Sequence, residues 1–173
     1  MERLAVIPYD ENWKHEYERI KAELLCAIDG CILAIEHVGS TSVEGLAAKP
    51  IIDIDIVVKD YHVFEDVKAR LTQIGYTYEG DLGIKDRHAF KYVDKAHVMK
   101  HHLYVCPEYS EELQRHIVFR DYLRTHPKDR ARYGEVKTLA AMRYSEDRDG
   151  YMAAKNACVV EILQKSLVWQ RNA

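Results

Sequence analysis

Four cysteines are present, and no two form a Cys-x-x-Cys pair, so Cys26, Cys31, Cys106 and Cys158 read as buried free thiols rather than disulfides or metal ligands. Prolines number four and glycines eight, with no Pro/Gly/Ser-rich tract, internal repeat or low-complexity segment. Nothing therefore marks a linker, and 173 residues suit one domain spanning 1–173. No apolar run approaches membrane-spanning length, and the opening "MERLAVIPYD" lacks the long apolar core of a signal peptide. A reduced cytoplasmic protein without a membrane anchor is expected. Twenty-five basic against 28 acidic side chains leave a net charge of −3, so no whole-molecule field draws the chain to nucleic acid. Phenylalanine is scarce, three against twelve tyrosines, which favours hydrogen-bonded amphipathic positions lining a cleft or interface. What is present, 47% hydrophobic and 31% charged residues, is ordinary globular composition.

The first helix is expected through "ENWKHEYERIKAELLCAI", capped by Asp10 and stopped at Gly30. Its apolar stripe is Trp13, Tyr17, Ile20, Leu24 and Ile28. "CILAIEHVG" predicts a strand, "TSVEGLAAK" a loop with a helical turn, and "IIDIDIVV" a strand opened by Pro50. "DYHVFEDVKARLTQIG" predicts a second helix. Three short strands follow at "YTYEG", "HAFKYVD" and "VMKHHLYVC", and from Ser110, a candidate helix cap, onward the pattern is helical, the first of these helices ending before Pro127. This order predicts an α+β fold: a small mixed β-sheet flanked by helices, with a C-terminal helical bundle packed on the sheet.

Asp53 and Asp55 interrupt the apolar strand "IIDIDIVV". Alternation puts both carboxylates on one face, with Cα atoms about 6.6 Å apart. They are either the wet side of an ordinary strand or a pair that grasps a hard cation, Mg²⁺ or Mn²⁺. Gly39, Ser40 and Thr41 stand about a dozen residues upstream. A glycine admits close backbone approach, and hydroxyls with successive N–H groups can cradle phosphate oxygens. Together the two motifs describe phosphoryl or nucleotidyl transfer.

"PYDENW", "IEHVGSTSVEGLAAKPIIDIDIVV", "HHLYV" and "FRDYLR" closely resemble the GrpB family over nearly the whole chain. That family sits in the nucleotidyltransferase-fold superfamily, whose motif is a Gly-Ser turn, an acid-x-acid strand and a third acid on a later strand. The resemblance implies a nucleotidyltransferase-like fold, with Ser40, Asp53 and Asp55 at the superfamily positions. The substrate it implies is a nucleotide or other phosphorylated small molecule. Fusion of the GrpB domain to dephospho-coenzyme A kinase in some bacteria implies a coenzyme A biosynthesis enzyme as a partner. The later strand, however, carries no acid: it offers His101, His102 and Tyr104, and Tyr104 replaces a histidine usual in the family. On that strand His102 and Tyr104 share a face. His102 is a candidate phosphate-orienting group, metal ligand or general base where the third acid would stand. Its absence also leaves open a non-catalytic nucleotide-binding or accessory module.

Further cations are candidates for the same substrate. Lys49, Arg87 and Lys91 are candidates to offset pyrophosphate charge, Arg87 and Lys91 sharing a face if both lie on a strand; solvent-facing positions on a strand edge are the alternative for that pair. Arg120 and Arg124 face one way on a helix, toward substrate or toward solvent. Tyr151 and Lys155 are one helical turn apart and are cleft-lining candidates only; without a GxGxxG fingerprint they are no reductase pair. The histidines His88, His97, His101 and His102 match no zinc spacing.

Overall fold

The computed structural model describes residues 4–173; Met1 to Arg3, the start of the stretch read for a signal peptide, lie outside it. Helix α1 (Asn12–Ile28) leads to strand β1 (Ala34–Val38), a 3-10 turn (Ser40–Ser42) and strand β2 (Ile52–Val58). Helix α2 (Phe64–Gln73) precedes three strands, β3 (Thr77–Gly80), β4 (His88–Lys91) and β5 (His101–Pro107). Helices α3 (Glu111–Thr125), α4 (Pro127–Arg143) and α5 (Arg148–Arg171) complete the chain. The five strands form one mixed sheet ordered β1-β2-β5-β4-β3. Only the β2–β5 pair is parallel, and it sits at the centre. The α+β architecture expected from the residue pattern is the one observed.

The expected stripes account for the core. Asp10 accepts a hydrogen bond from the Asn12 amide at 2.9 Å, and Trp13, Tyr17, Ile20, Leu24 and Ile28 are all buried. They meet Ile52, Ile54, Ile56 and Val58 of β2, Leu103 and Val105 of β5, and Phe64, Val67 and Leu71 of α2. Period-two alternation then forces Asp53, Asp55 and Val57 to the opposite face, together with His102, Tyr104 and Cys106 of β5. That second face is partly covered by α3, whose Leu113 packs on Val57 and Cys106. Ser110 caps α3 as expected, accepting from the Leu113 amide at 3.2 Å. Pro127 does not merely follow α3 but opens α4, where its missing N–H is one no helical carbonyl needs. Val43 and Leu46, in the loop after the 3-10 turn, insert among Tyr122, Leu123, Tyr133, Cys158 and Ile162 and so join the helical layer to the sheet.

Several tyrosines act as expected of buried phenols. Tyr17 donates to the Ile35 carbonyl at 2.7 Å, and the Tyr76 hydroxyl meets His101 Nε2 at 2.7 Å. The thiol expectation holds for Cys106 and Cys158 but not for Cys26, which is exposed: it lies on α1 beside the apolar stripe rather than in it. Cys31 is half-buried, its Sγ 3.1 Å from Asp66 Oδ2. No helix among the described residues is long and apolar enough to cross a membrane.

Two arginines of "FRDYLR" pin α3 to the start of the sheet. Arg120, with a side chain only 10% exposed, reaches Glu36 Oε2 at 2.6 Å and the His37 carbonyl at 3.1 Å, and pairs with Asp121 at 2.8 Å. Arg124 places Nε and Nη2 3.1 and 2.8 Å from the Ser42 carbonyl. The acidic partners of Arg120 keep 29% and 40% side-chain exposure, so the pair lies between a buried and a surface one, and Arg120→Ala is expected to lower the unfolding free energy by about 2 kcal/mol. Urea unfolding measures it, and a loss below about 1 kcal/mol would mark the contact as an ordinary surface pair.

Candidate functional site

Gly39 sets the geometry of the first motif. It adopts φ +71°, and a Cβ built there would overlap Asp53 Oδ2 and crowd the rest of that carboxylate. The carboxylate of β2 thus lies directly against the backbone of the Gly-Ser turn, a contact only glycine permits. The turn is braced internally. Thr41 Oγ1 meets His37 Nε2 at 2.9 Å and the Ile51 carbonyl at 3.3 Å, and Ser42 Oγ donates to the Gly39 carbonyl at 2.5 Å. His37 is itself stacked on Tyr17 and buried, which pushes its pKa down to about 4 and leaves it neutral. The Thr41 hydroxyl is consequently spent on scaffold.

Each acid of β2 meets a histidine. Asp53 stands opposite His102 in the parallel ladder, and its Oδ1 is 2.9 Å from His102 Nδ1. Asp55 stands opposite Tyr104 on β5 and Glu36 on β1, and has no solvent exposure. Its Oδ2 is 2.6 Å from Nδ1 of His116 on α3, and His116 Nε2 is 3.3 Å from Glu112. Burial alone would depress His116, but the hydrogen bonds to Asp55 and then Glu112 override it and lift the pKa to about 10. Burial pushes the Asp55 carboxyl up, opposed by the same His116 contact. A ring with acceptors at both nitrogens is an imidazolium, so we assign the pair as His116⁺ and Asp55⁻. No local pattern marks His116: one helical turn after Glu112, it looks like any surface pair.

Asp55 Oδ1 is buried without a hydrogen-bond donor among the described residues. An orphaned carboxylate oxygen adjacent to Asp53 fits a ligand for a hard cation. No cluster of three or more His, Cys, Asp or Glu side chains with metal-binding geometry occurs among the described residues.

Beside Asp53 opens a cavity of about 260 Å³. Ser40, Asp53 and His102 line it on the sheet side, and Lys49, Lys137, Arg148, Tyr151 and Lys155 complete it. The ammonium groups of Lys49 and Lys155 sit 4.9 and 5.0 Å from the Tyr151 ring centroid. Lys137, 2% exposed, lies over Tyr133 at 4.7 Å, and its Nζ has no hydrogen-bond partner. Burial, then repulsion from Lys155, lowers Lys137 to about 7; burial, then repulsion from Lys49, lowers Lys155 to about 8. Lys49 is lowered too, by burial and by Arg148. Among the described residues, four basic side chains and one carboxylate, Asp53, line the cavity. Lys137 and Arg148 are additions that periodicity could not supply, since both read as solvated helical charges.

The other candidate residues fall elsewhere. Arg87 lies outside β4, after Asp86 at φ +58°, and its guanidinium stacks on Tyr104 at 4.4 Å. Lys91 ends β4 and pairs with Glu79 at 3.5 Å, so the two do not share a strand face. Tyr104, His102, Lys91 and Arg148 line a second, larger groove of about 630 Å³. The two cavities adjoin at His102 and Arg148. Arg120 and Arg124 clamp the β1–turn segment, as described, and line neither cavity.

The family model described as "GrpB protein" matches residues 3–165. UPF0157 protein YqkA of Bacillus subtilis is 29% identical over 98% of this chain, which spans about half (49%) of that relative. The dephospho-CoA kinase of Mycolicibacterium paratuberculosis is 27% identical over 96% of this chain and 46% of the kinase. Among solved structures, conserved protein GrpB from Enterococcus faecalis superposes with a TM-score of 0.84 at 30% identity, covering 96% of this chain and 99% of that one. The Cid1 poly(U) polymerase bound to MgATP gives a TM-score of 0.56 at 13% identity, covering 80% of this chain and 45% of Cid1. The last likeness establishes a nucleotidyltransferase-like fold.

Two measurements probe this geometry. Gly39→Ala forces a side chain both into a left-handed backbone and onto Asp53, and is expected to cost about 1–3 kcal/mol; an unchanged melting temperature would contradict the close approach. For His116 the folded pKa lies above the unfolded one, so its contribution is complete below about pH 6.5 and lost as pH rises toward about 10. The stability difference between the native protein and His116→Ala should shrink over that window, and a difference that widens there refutes the ion pair.

Proposed function

This chain belongs to the GrpB family, and from that premise we propose that it binds a nucleoside triphosphate in the cleft beside Asp53, as a nucleotidyltransferase-like enzyme. The single observation that carries the reading is charge. Lys49, Lys137, Arg148 and Lys155 converge on one small cavity, and two of those lysines are depressed to about 7 and about 8 by burial and mutual repulsion. A folded protein keeps such a cluster when an anion supplies the missing counter-charge. The cavity is smaller than the roughly 300–1,000 Å³ of whole-ligand sites, which suits phosphate groups. The adjoining groove, with Lys91, Tyr104 and the Arg87-stacked ring edge, offers room for the rest of the substrates.

The roles follow from position. Ser40 and the turn amides would receive terminal phosphate oxygens, with the lysines neutralising them. Tyr151 would hold Lys49 and Lys155 in place. Asp53 and Asp55 would hold Mg²⁺ or Mn²⁺. When bound, such an ion would offset phosphate charge and favour attack on the α-phosphorus by an acceptor group. His102, fixed by Asp53, would take the acceptor's proton.

A second reading rests on a specific observation: β5 offers His102 and Tyr104 opposite the two acids, and no carboxylate. A nucleotide-binding module that does not turn over, working beside coenzyme A enzymes, is consistent with that and with the relatives that are dephospho-CoA kinases. Release of pyrophosphate separates the two.

Calorimetry with ATP, GTP, CTP and UTP in the presence of Mg²⁺ tests the reading. At least one should bind, and Asp53→Asn and Lys137→Met should each weaken it by at least about tenfold, near the 1.4 kcal/mol expected for one lost charged contact. Because phosphate raises both depressed lysines, binding at pH 8 should take up roughly one proton, and affinity should fall as pH rises further. Titration in buffers of different ionisation enthalpy reads this directly. Equal binding by native protein and both variants, or proton release, defeats the proposal.

A further inference from the structure

Several lysines of this chain stand against a carboxylate: Lys14 against Glu44, Lys68 against Glu65, Lys91 against Glu79, Lys95 against Glu23 and Lys165 against Asp129. The lysines of the cavity beside Asp53 do not. Among the described residues, Lys49, Lys137 and Lys155 have no carboxylate within ion-pair distance. Their company is one another and the rings of Tyr133 and Tyr151.

Of the three, Lys155 combines crowding with access. Lys137 is 2% exposed, whereas Lys155 is half-buried on α5 and opens onto the cavity. It shares the Tyr151 ring with Lys49, their ammonium nitrogens 5.0 and 4.9 Å from its centroid. The other groups lining the space are Asp53 of β2, His102 of β5, Lys137 of α4 and Arg148 of α5. One carboxylate among these cations leaves Lys155 in positive surroundings, and burial, then repulsion from Lys49, lowers it to about 8. A lysine desolvated beside another cation is a nucleophile, because much of it stands as the free amine near neutral pH. The cations that expel its proton also recruit an anion. Lys49, Lys137 and Arg148 can take a phosphate and leave Lys155 for the atom next to it. A cavity of about 260 Å³ limits the partner to a small one.

We propose that Lys155 is an acylation site that takes the acyl group of a small acyl phosphate held in this cavity. The Nζ lone pair attacks the carbonyl carbon and a C–N bond forms. The C–O bond to phosphate breaks, phosphate leaves with that electron pair, and the proton of the attacking nitrogen passes to it or to water. The products are an amide on Lys155 and inorganic phosphate. Since the amide carries no charge, the modification removes one of the cations proposed to hold nucleotide phosphates. The inference rests on the phosphate-binding reading of the cavity and adds a covalent control on it.

Acetyl phosphate is the probe, with peptide mapping by mass spectrometry of the full native chain. At pH 7.5, Lys155 is expected to be acetylated at least about tenfold faster than the exposed Lys59, Lys85 and Lys128, whose environments supply no such crowding. Excess pyrophosphate should slow labelling at Lys155 at least about fivefold and leave those three unchanged. In Lys49→Met the repulsion is gone, so the midpoint of the pH–rate profile at Lys155 should move upward; the native measurements decide the matter should that variant not fold. Labelling of Lys155 no faster than the exposed lysines overturns the inference, as does a preference that pyrophosphate leaves intact or a faster reaction at Lys137. Calorimetry with ATP on unlabelled protein separates the two levels. Nucleotide binding with an inert Lys155 overturns the acylation alone. Selective, pyrophosphate-sensitive acetylation without nucleotide binding sustains it and overturns the nucleotide reading instead.

Discussion

Burying the carboxylate of Asp55 at zero exposure in the middle of a sheet carries a desolvation cost of several kcal/mol, and an uncompensated charge there would unfold the strand or force protonation. His116 supplies the compensation, and because it arrives on α3, the helix cannot be placed independently of the strand. The same helix brings Arg120 to Glu36 and Arg124 to the Ser42 carbonyl. One helix thereby secures both halves of the candidate site, the acid strand from one side and the Gly-Ser turn from the other.

The opposite balance holds a few ångströms away. In the cleft between the sheet and α4–α5, cations are gathered without matching acids, and Lys137 has no hydrogen-bond partner at 2% exposure. Its depressed pKa expresses the stability forgone by assembling that cluster. Such local cost is characteristic of sites where a ligand completes the electrostatics. The contrast divides the conspicuous charges of the chain into two kinds. Arg120 and Arg124 are spent on architecture, while Lys49, Lys137, Arg148 and Lys155 are held in reserve around Asp53.

Much of the framework was readable from pattern. The α1 stripe from Trp13 to Ile28, the cap at Ser110 and the alternation of β2 each depend on neighbours three, four or two residues away, and such local rules survive folding. Gly39 was also legible as a point of close backbone approach, although which atom it would approach was not. Arg87 and Lys91 show where local rules stop. Their shared face required an unbroken strand, and the left-handed Asp86 starts β4 one residue too late. Cys26 shows the same limit, since one step around a helix separates buried from exposed.

By itself the sequence determined the element order, the core stripes and the pairing of an acid-x-acid strand with a Gly-Ser turn, because each is set by short-range periodicity and backbone stereochemistry. Only the tertiary structure decided that His116 meets Asp55 across 61 residues, that Arg120 and Arg124 serve the scaffold, and that Lys137 and Arg148 join Lys49 and Lys155. Those outcomes depend on how three helices dock against a sheet. A charged side chain's role is set by the charges that docking brings within reach, and no local pattern encodes that distance.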